Sequence, residues 1–416
     1  MKGFVKHPVR VAVVGGGAAG LTAALAARYC GAGVTVLERM DRVGKKILAT
    51  GNGRCNMSNT DLNITHYHGA NPKFAYGALS RFGFHRTMEF FERLGIAWKV
   101  EEGGKVFPVS NQASSVLDVL RHELEIRGVK TLTRTEVKGI SKSNGEFILR
   151  LGNGADLHFD RVIIATGGKA APNLGSNGSG YALAEQMGHR IVEPFPALVQ
   201  LRLASGFLKQ ISGIKFEYEA EILVRNKPVA RAGGEILFTD YGISGPPILA
   251  LSRTAGEYLA KDEQVVLKLI LINYMSREEL EAFLINRLRQ QAHKTLAFSF
   301  VGFINKRLVP VLLREAGIED INKQAGQVTA GERNAILTIL QDWRFEVTGT
   351  NTWTAAQVTA GGVDVKDVNR KTMESKLVPG LYFAGEVLDI DGDCGGYNLQ
   401  WAWSSGYVAG ESAATG

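Results

Sequence analysis

Val11-Ala-Val-Val-Gly-Gly-Gly-Ala-Ala-Gly20 opens a segment that passes through an alanine-rich stretch and ends at Val34-Thr-Val-Leu-Glu38. The pattern is a buried strand, a glycine turn, a helix and a second strand closed by an acid. Gly15, Gly17 and Gly20 supply G-x-G-x-x-G where the first strand hands over to the helix. Gly15 permits the tight turn, Gly17 leaves the backbone open to a pyrophosphate, and Gly20 lets the helix lie close to the strand. Phosphates then sit at the helix N-terminus, where free N–H groups and the macrodipole favour negative charge. Glu38 stands 23 residues after Gly15, at the tip of the second strand, and can accept both hydroxyls of an adenosine ribose. A lone G-x-G-x-x-G carries little weight. Here strand, helix, second strand and terminal acid agree, so the segment predicts an ADP-containing dinucleotide. An acid at position 38 disfavours a 2′-phosphate, which leaves FAD or NAD rather than NADP.

The 416 residues suffice for two or three domains. A hydrophobic share of 45% with 21% charged residues is that of a soluble globular protein. Glycine accounts for 49 residues, an excess that clusters in short segments and so reads as ligand-cradling backbone rather than disorder. The net charge of +7 is dispersed, with the densest basic runs at 39–46 and 287–294. Without a visible basic segment interleaved with aromatics, no nucleic-acid partner is expected. Cys30, Cys55 and Cys394 give neither a disulfide framework nor metal spacing, and the eight histidines show no metal pattern, so no metal is expected. The reducing environment this implies, and the absence of any uncharged stretch of spanning length, point to a cytoplasmic protein without a membrane partner. The basic N-terminus followed by an apolar run is better explained by the first strand and helix than by a signal peptide.

After Glu38 follows a polar, glycine-rich stretch to Asn56. Helices are expected from Asn71-Pro72 and over Phe84–Leu94, then from a cap at Ser110 or Asn111 to Arg127. Strands follow at Val137–Lys142, Phe147–Leu151 and Leu157–Phe159, divided by Asn144-Gly145 and Asn153-Gly154. A buried strand over Arg161–Ala165 leads into Thr166-Gly167-Gly168. A three-stranded meander before such a strand is usual in FAD-type Rossmann domains and missing from NAD-only dehydrogenases, which selects FAD. Around Pro194 the character changes to alternating strands (Val199–Leu203, Glu217–Val224, Glu235–Phe238, Gln264–Leu271). Two capping boxes, Ser276 with Glu279 and Thr329 with Glu332, open helices around an amphipathic helical stretch over Phe298–Ala316. The tail Gly380-Leu-Tyr-Phe-Ala-Gly-Glu386 is another strand and glycine turn, followed by a polar loop and a closing helix over Leu399–Ala413.

Thr50-Gly-Asn-Gly-Arg-Cys-Asn56, Ala165-Thr-Gly-Gly168, Gly380–Glu386 and Cys394-Gly-Gly-Tyr-Asn-Leu-Gln-Trp-Ala-Trp-Ser-Ser-Gly406 resemble the BaiN-like flavoproteins, a bacterial family that includes aminoacetone oxidases. The resemblance spans the chain. It implies an α/β fold: a Rossmann-like, glutathione-reductase-type FAD domain, discontinuous, with an inserted β-barrel-like module and a helical subdomain. The FAD domain then comprises 1–195 and 355–416. The insert, 196–354, has its β module at 196–272 and 343–354 and its helical part at 273–342. The expected cofactor-binding set begins with Gly15, Gly17, Ala18, Ala19, Gly20, Glu38 and Arg39. The second loop adds Lys46, Gly51, Asn52, Arg54, Cys55 and Asn56, with Val137, Thr166, Gly167 and Gly168 beyond it. The tail adds Gly385, Glu386, Asp389, Asp391, Gly396, Tyr397, Asn398 and Leu399.

Gly51, Asn52 and Gly53 would bring backbone N–H groups and a short amide to the ribityl and pyrophosphate, with Arg54 as a fixed cation beside them. Lys45 and Lys46 read equally as phosphate contacts or solvated charges. Asp389 or Asp391 would accept ribityl hydroxyls. The N-terminus of the last helix would face the flavin N1–C2=O, raising its affinity for electrons. Trp401 and Trp403 read as core, and His66 and His68 as a solvated loop. Candidate catalytic groups are Tyr397, Cys55 and Cys394; for the two cysteines, small-residue packing outweighs a thiol relay.

The chain thus reads as an FAD-dependent oxidoreductase moving a hydride between flavin N5 and a small organic substrate held between the FAD domain and the insert. The only other glycine cluster, Gly175-Ser-Asn-Gly-Ser-Gly180, does not follow a strand directly and lacks a downstream acid. NAD(P)H would therefore be a transient donor, or dioxygen would reoxidise the flavin. Reduction of an enone- or steroid-like compound and oxidation of an aminoacetone-like amine both fit. A flavin-containing RNA-modifying or RNA-binding protein is the reading from another class.

Overall fold

The computed structural model describes residues 8–416 and divides into two compact units. One holds the residues up to Pro196 together with Trp353–Gly416, the other Ala197–Thr352.

The first unit is built on a five-stranded parallel sheet in the order Leu381–Phe383, Arg161–Ile164, Arg10–Val14, Gly33–Leu37, Lys130–Leu132. Val11 to Val14 are at most 5% exposed, as befits a central strand covered on both faces. The strand at Leu381 pairs with one more than two hundred residues earlier, so the chain does return to finish its first domain. The meander is present as Val137–Ser143, Glu146–Leu151 and Asp156–Phe159. Its first turn, Asn144-Gly145, has both residues left-handed (φ +51° and +84°), which a two-residue hairpin requires. Helix Ala18–Tyr29 packs along the closing helix Tyr397–Thr415. A Cβ at Gly406 would fall 2.3 Å from the Ala19 carbonyl and one at Gly410 2.1 Å from that of Ala23, so the two backbones nearly touch.

One local expectation fails here. The helix Ala113–Ile126 is not capped by Ser110 or Asn111; Gln112 precedes it without a side-chain cap. Ser110 instead donates to the Ser115 hydroxyl, and Asn111, itself left-handed, accepts from Arg54.

The second unit is a closed six-stranded barrel with its own core, in the order Leu201–Leu203, Gly242–Ser244, Lys227–Phe238, Lys215–Val224, Val265–Ile270, Trp343–Thr350. The strand expected at Glu235–Phe238 begins eight residues earlier. Its first half buries only the small side chains of Ala230 and Ala232 between exposed residues, which is too weak an apolar alternation to read as a strand. The short strand at Gly242 and the helix Pro246–Leu259 are also unanticipated; Pro246 and Pro247 stand at the helix start, where proline is preorganised. Both capping boxes form as expected. The helix expected over Phe298–Ala316 is instead two short ones, Leu296–Ser299 and Val309–Glu315. Gly302 at φ +85° breaks it, and Pro310 suits only the first turn of a new helix. No helix among the described residues is long and apolar enough to cross a membrane.

Candidate functional site

The three glycines of the first turn differ in what demands them. Gly15 is left-handed (φ +106°), and a Cβ there would lie 2.5 Å from the Ala165 carbonyl oxygen. A Cβ at Gly20 would lie 1.9 Å from the Gly15 oxygen. At Gly17 a Cβ meets nothing within 4 Å, and φ is an ordinary −83°. The chain's own packing requires glycine at 15 and 20, whereas position 17 faces open space at a helix start that no side chain caps. That space in front of free N–H donors is what a pyrophosphate fits.

Beside it lies a cavity lined by Gly15, Glu38, Arg39, Val137, Thr166 and Gly175. Glu38 is 8% exposed; one carboxylate oxygen accepts from Gly16 N (2.8 Å) and the other from Met40 N (2.7 Å). Arg39 Nε is buried in this region without a hydrogen-bond partner, a donor that an adenosine group would satisfy. Gly175 and Ser179 line the same cavity, so the second glycine cluster lies beside the first glycine turn. Sequence reading missed this because no strand precedes the cluster.

The second loop is held by unusual backbone. Gly51, Asn52, Gly53 and Cys55 all have positive φ (+56°, +56°, +84° and +62°), a run open only where Gly and Asn predominate. Arg54 is not a bare cation beside a phosphate. It pairs with Glu101 (2.5 Å), donates to Asn111 (2.7 Å) and lies 4.0 Å from the Phe107 ring centroid. Lys46 and Glu386 form an ion pair at 2.7 Å, and the other Glu386 oxygen accepts from Thr359 N. Lys45 pairs with Asp41. The Lys46–Glu386 pair thus joins two remote loops, while Lys45 pairs within its own segment. Asn56 accepts from Val106 N (3.2 Å). At Gly168 a Cβ would lie 2.3 Å from the Thr359 hydroxyl, which accepts from Lys169 N and Ala170 N.

In the tail, Gly385 N donates to Ser405 (2.9 Å) and its carbonyl accepts from Trp401 (3.2 Å). Asp389 and Asp391 are nearly inaccessible, at 1% and 2% exposed, and Asp389 accepts from Ala70 N. Asn398 grips both N–H and C=O of Gly392, so its amide staples the loop to the helix. Gly396 is left-handed (φ +102°), with the Ser58 carbonyl where its Cβ would stand. Leu399 is half-buried one turn inside the helix. Gln400, unremarked in the sequence, is fully buried and binds Ser58, Phe82 O, Thr87 and Ser404.

The expected solvated loop at His66 and His68 is instead a half-buried cluster. Asp393 receives His66 Nδ1 at 3.0 Å and His68 Nε2 at 2.7 Å, and the His66 ring stacks on Tyr397 at 4.4 Å. Burial alone would raise the Asp393 carboxyl; the two imidazoles outweigh it and hold it below the usual range. A separation of more than three hundred residues hides this cluster from sequence reading.

Cys55 is fully buried, and desolvation pushes its thiol up to about 12 despite a hydrogen bond with Thr50. It is a neutral space-filling group at ordinary pH. Cys30 and Cys394 are free and exposed. Titrating the native protein with a thiol reagent should label two cysteines, with the third reacting only after denaturation. Rapid labelling of Cys55 would overturn this burial and reopen its redox role.

A family model described as the HI0933-like protein Rossmann domain matches residues 9–412. The chain belongs to the HI0933-like family. This HI0933-like chain is 39% identical over 97% of its length to a 3-dehydro-bile acid delta(4,6)-reductase of Clostridium scindens, 99% of which is covered. It is 33% identical over 96% of its length to a ribosomal RNA dihydrouridine synthase of Escherichia coli, covering 96% of it. A protein of the same name from Haemophilus influenzae is 34% identical, with 95% and 96% covered. Among solved structures, a 3-ketosteroid delta1-dehydrogenase from Sterolibacterium denitrificans shares the fold at a TM-score of 0.51, 12% identity and 97% and 99% coverage. The HI0933-like chain is an FAD-dependent oxidoreductase.

Proposed function

We propose that this flavoenzyme is an NAD(P)H-linked reductase that saturates a carbon–carbon double bond conjugated to a carbonyl. The observation that carries the reading is the chemistry shared by relatives aligned over at least 95% of the chain. A 3-dehydro-delta(4,6) bile acid holds its double bonds in conjugation with the C3 carbonyl. Forming dihydrouridine saturates a bond conjugated to the uracil C4 carbonyl. FAD, when bound, supplies the hydride. The chain's part is to hold the pyrophosphate at Gly17, the adenosine between Glu38 and Arg39, and the polar tail loop at the head of the closing helix.

For the molecule bearing that bond, a small 3-oxo-ene compound is supported by the 39% identical relative. A uracil ring within RNA is the second reading, supported by the 33% and 34% identical relatives.

Anaerobic mixing tests both. NADH or NADPH should bleach the flavin with two electrons per FAD, and aminoacetone should not. Reoxidation by a 3-oxo-4-ene steroid, or by unmodified ribosomal RNA, should yield a product carrying two more hydrogens by mass spectrometry. Bleaching by the amine with neither nicotinamide active would defeat the proposal in favour of an amine oxidase.

A further inference from the structure

We propose that His68, oriented by Asp393, donates the proton that completes saturation of the conjugated double bond; this rests on the reductase reading above. Hydride addition at the carbon β to the carbonyl leaves an enolate, and its α-carbon must then gain a proton. The imidazolium N–H bond breaks as the α C–H bond forms, and solvent returns a proton to the ring.

Helix register sets where this cluster lies. Ala19 packs against Gly406 and Ala23 against Gly410, so helices Ala18–Tyr29 and Tyr397–Thr415 run parallel, with Gly17 level with Ser404. Tyr397 precedes Ser404 by seven residues. At 1.5 Å per residue the head of the closing helix stands about 10 Å beyond the Gly17 turn. With pyrophosphate at Gly17 and adenosine at Glu38, only the flavin arm of FAD is left to reach that way. At this head, strand Tyr67–His68 pairs with Asp391–Gly392, and Asp393 binds one nitrogen of each imidazole. Asp61 approaches the other His66 nitrogen at 3.4 Å. His68 Nδ1 has no hydrogen-bond partner among the described residues, and its ring is 31% exposed.

Fastening the tail loop is the ordinary explanation for such a cluster. The backbone already does so, through the strand pair, the Asp393 N–H donated to His66 O (2.9 Å) and the grip of Asn398 on Gly392. Fastening does not require a second imidazole with its outer nitrogen open. The groups around the pair are Asp61, Asp393, Tyr67, Tyr397 and Cys394, with Lys105 acting on Cys394. Burial pushes the Tyr397 phenol up to about 12 and raises the Cys394 thiol, so both hold their protons. Asp393 and Asp61 favour a charged imidazole and offset the positive end of the closing helix. Imidazole is also the side chain whose ordinary titration lies near neutrality.

The test uses the full-length holoenzyme, reduced anaerobically with dithionite and mixed with a 3-oxo-4-ene steroid or unmodified ribosomal RNA. His68→Gln should slow flavin reoxidation ~100-fold or more. Flavin content and reduction by dithionite serve as its folding control. In the unaltered protein, reoxidation should slow ~10-fold per pH unit once the imidazolium has lost its proton, and in the variant that dependence should vanish. Asp393→Asn removes the charge that favours the imidazolium, so the fall should begin about one pH unit lower. That shift decides the question if His68→Gln does not keep its flavin, because a loop clamp alone would not move it. Reoxidation of His68→Gln at the unaltered rate, or an Asp393→Asn profile that does not shift, would overturn the proposal and leave the reductase reading standing. If neither probe reoxidises the unaltered protein, both fall.

Discussion

Gly17→Val should leave both compact units folded and remove FAD. A valine Cβ meets no atom of the chain within 4 Å, and φ −83° with ψ −171° is a conformation that β-branched residues favour. The side chain instead occupies the approach to the helix N-terminus. Losing two charge-assisted hydrogen bonds to the pyrophosphate, at about 1.5–3 kcal/mol each, weakens FAD binding at least ~100-fold. Gly20→Ala is the contrast, since its methyl would sit 1.9 Å from the Gly15 carbonyl. Helix and turn must separate, at a cost of about 1–3 kcal/mol or more. Thermal unfolding with and without added FAD distinguishes the two: the first variant keeps the apoprotein's Tm but gains nothing from FAD, and the second loses Tm in both. A yellow, fully loaded Gly17→Val protein would place the phosphates elsewhere.

Glu38→Ala should act on stability and on cofactor affinity together. Its two oxygens hold Gly16 N and Met40 N, on either side of the space expected for the ribose. Removal strands two N–H donors, each costing about 1–3 kcal/mol if buried, and deletes acceptors for ribose hydroxyls. FAD affinity should fall at least ~10-fold, and the apoprotein should unfold at lower urea concentration. Glu38→Gln separates the effects, because its single carbonyl oxygen can keep only one of the two N–H contacts. An apoprotein of unchanged stability with FAD binding intact would show that Glu38 serves neither purpose.

The elements legible in the sequence are those that local chemistry dictates. G-x-G-x-x-G between a strand and a helix, the Asn-Gly hairpin of the meander, and the capping boxes at Ser276 and Thr329 each depend on neighbours within a few residues. Backbone dihedrals and short hydrogen bonds there follow from residue type. The return of the tail to the first sheet was likewise marked by a second strand-and-glycine pattern. Tertiary structure alone decided how the charges are engaged. Arg54 meets Glu101 across 47 positions, Lys46 meets Glu386 across 340, and His66 meets Asp393 across 327. It also decided that Arg287 would gather Phe283 and Phe303 into one face. Hydrogen bonds and desolvated ion pairs act over a few ångströms, and separation along a folded chain carries no information about such distances. Residue type therefore marked the local glycine turn and its flanking strand and helix, and only the packing of remote segments revealed which charged side chains hold the loops together.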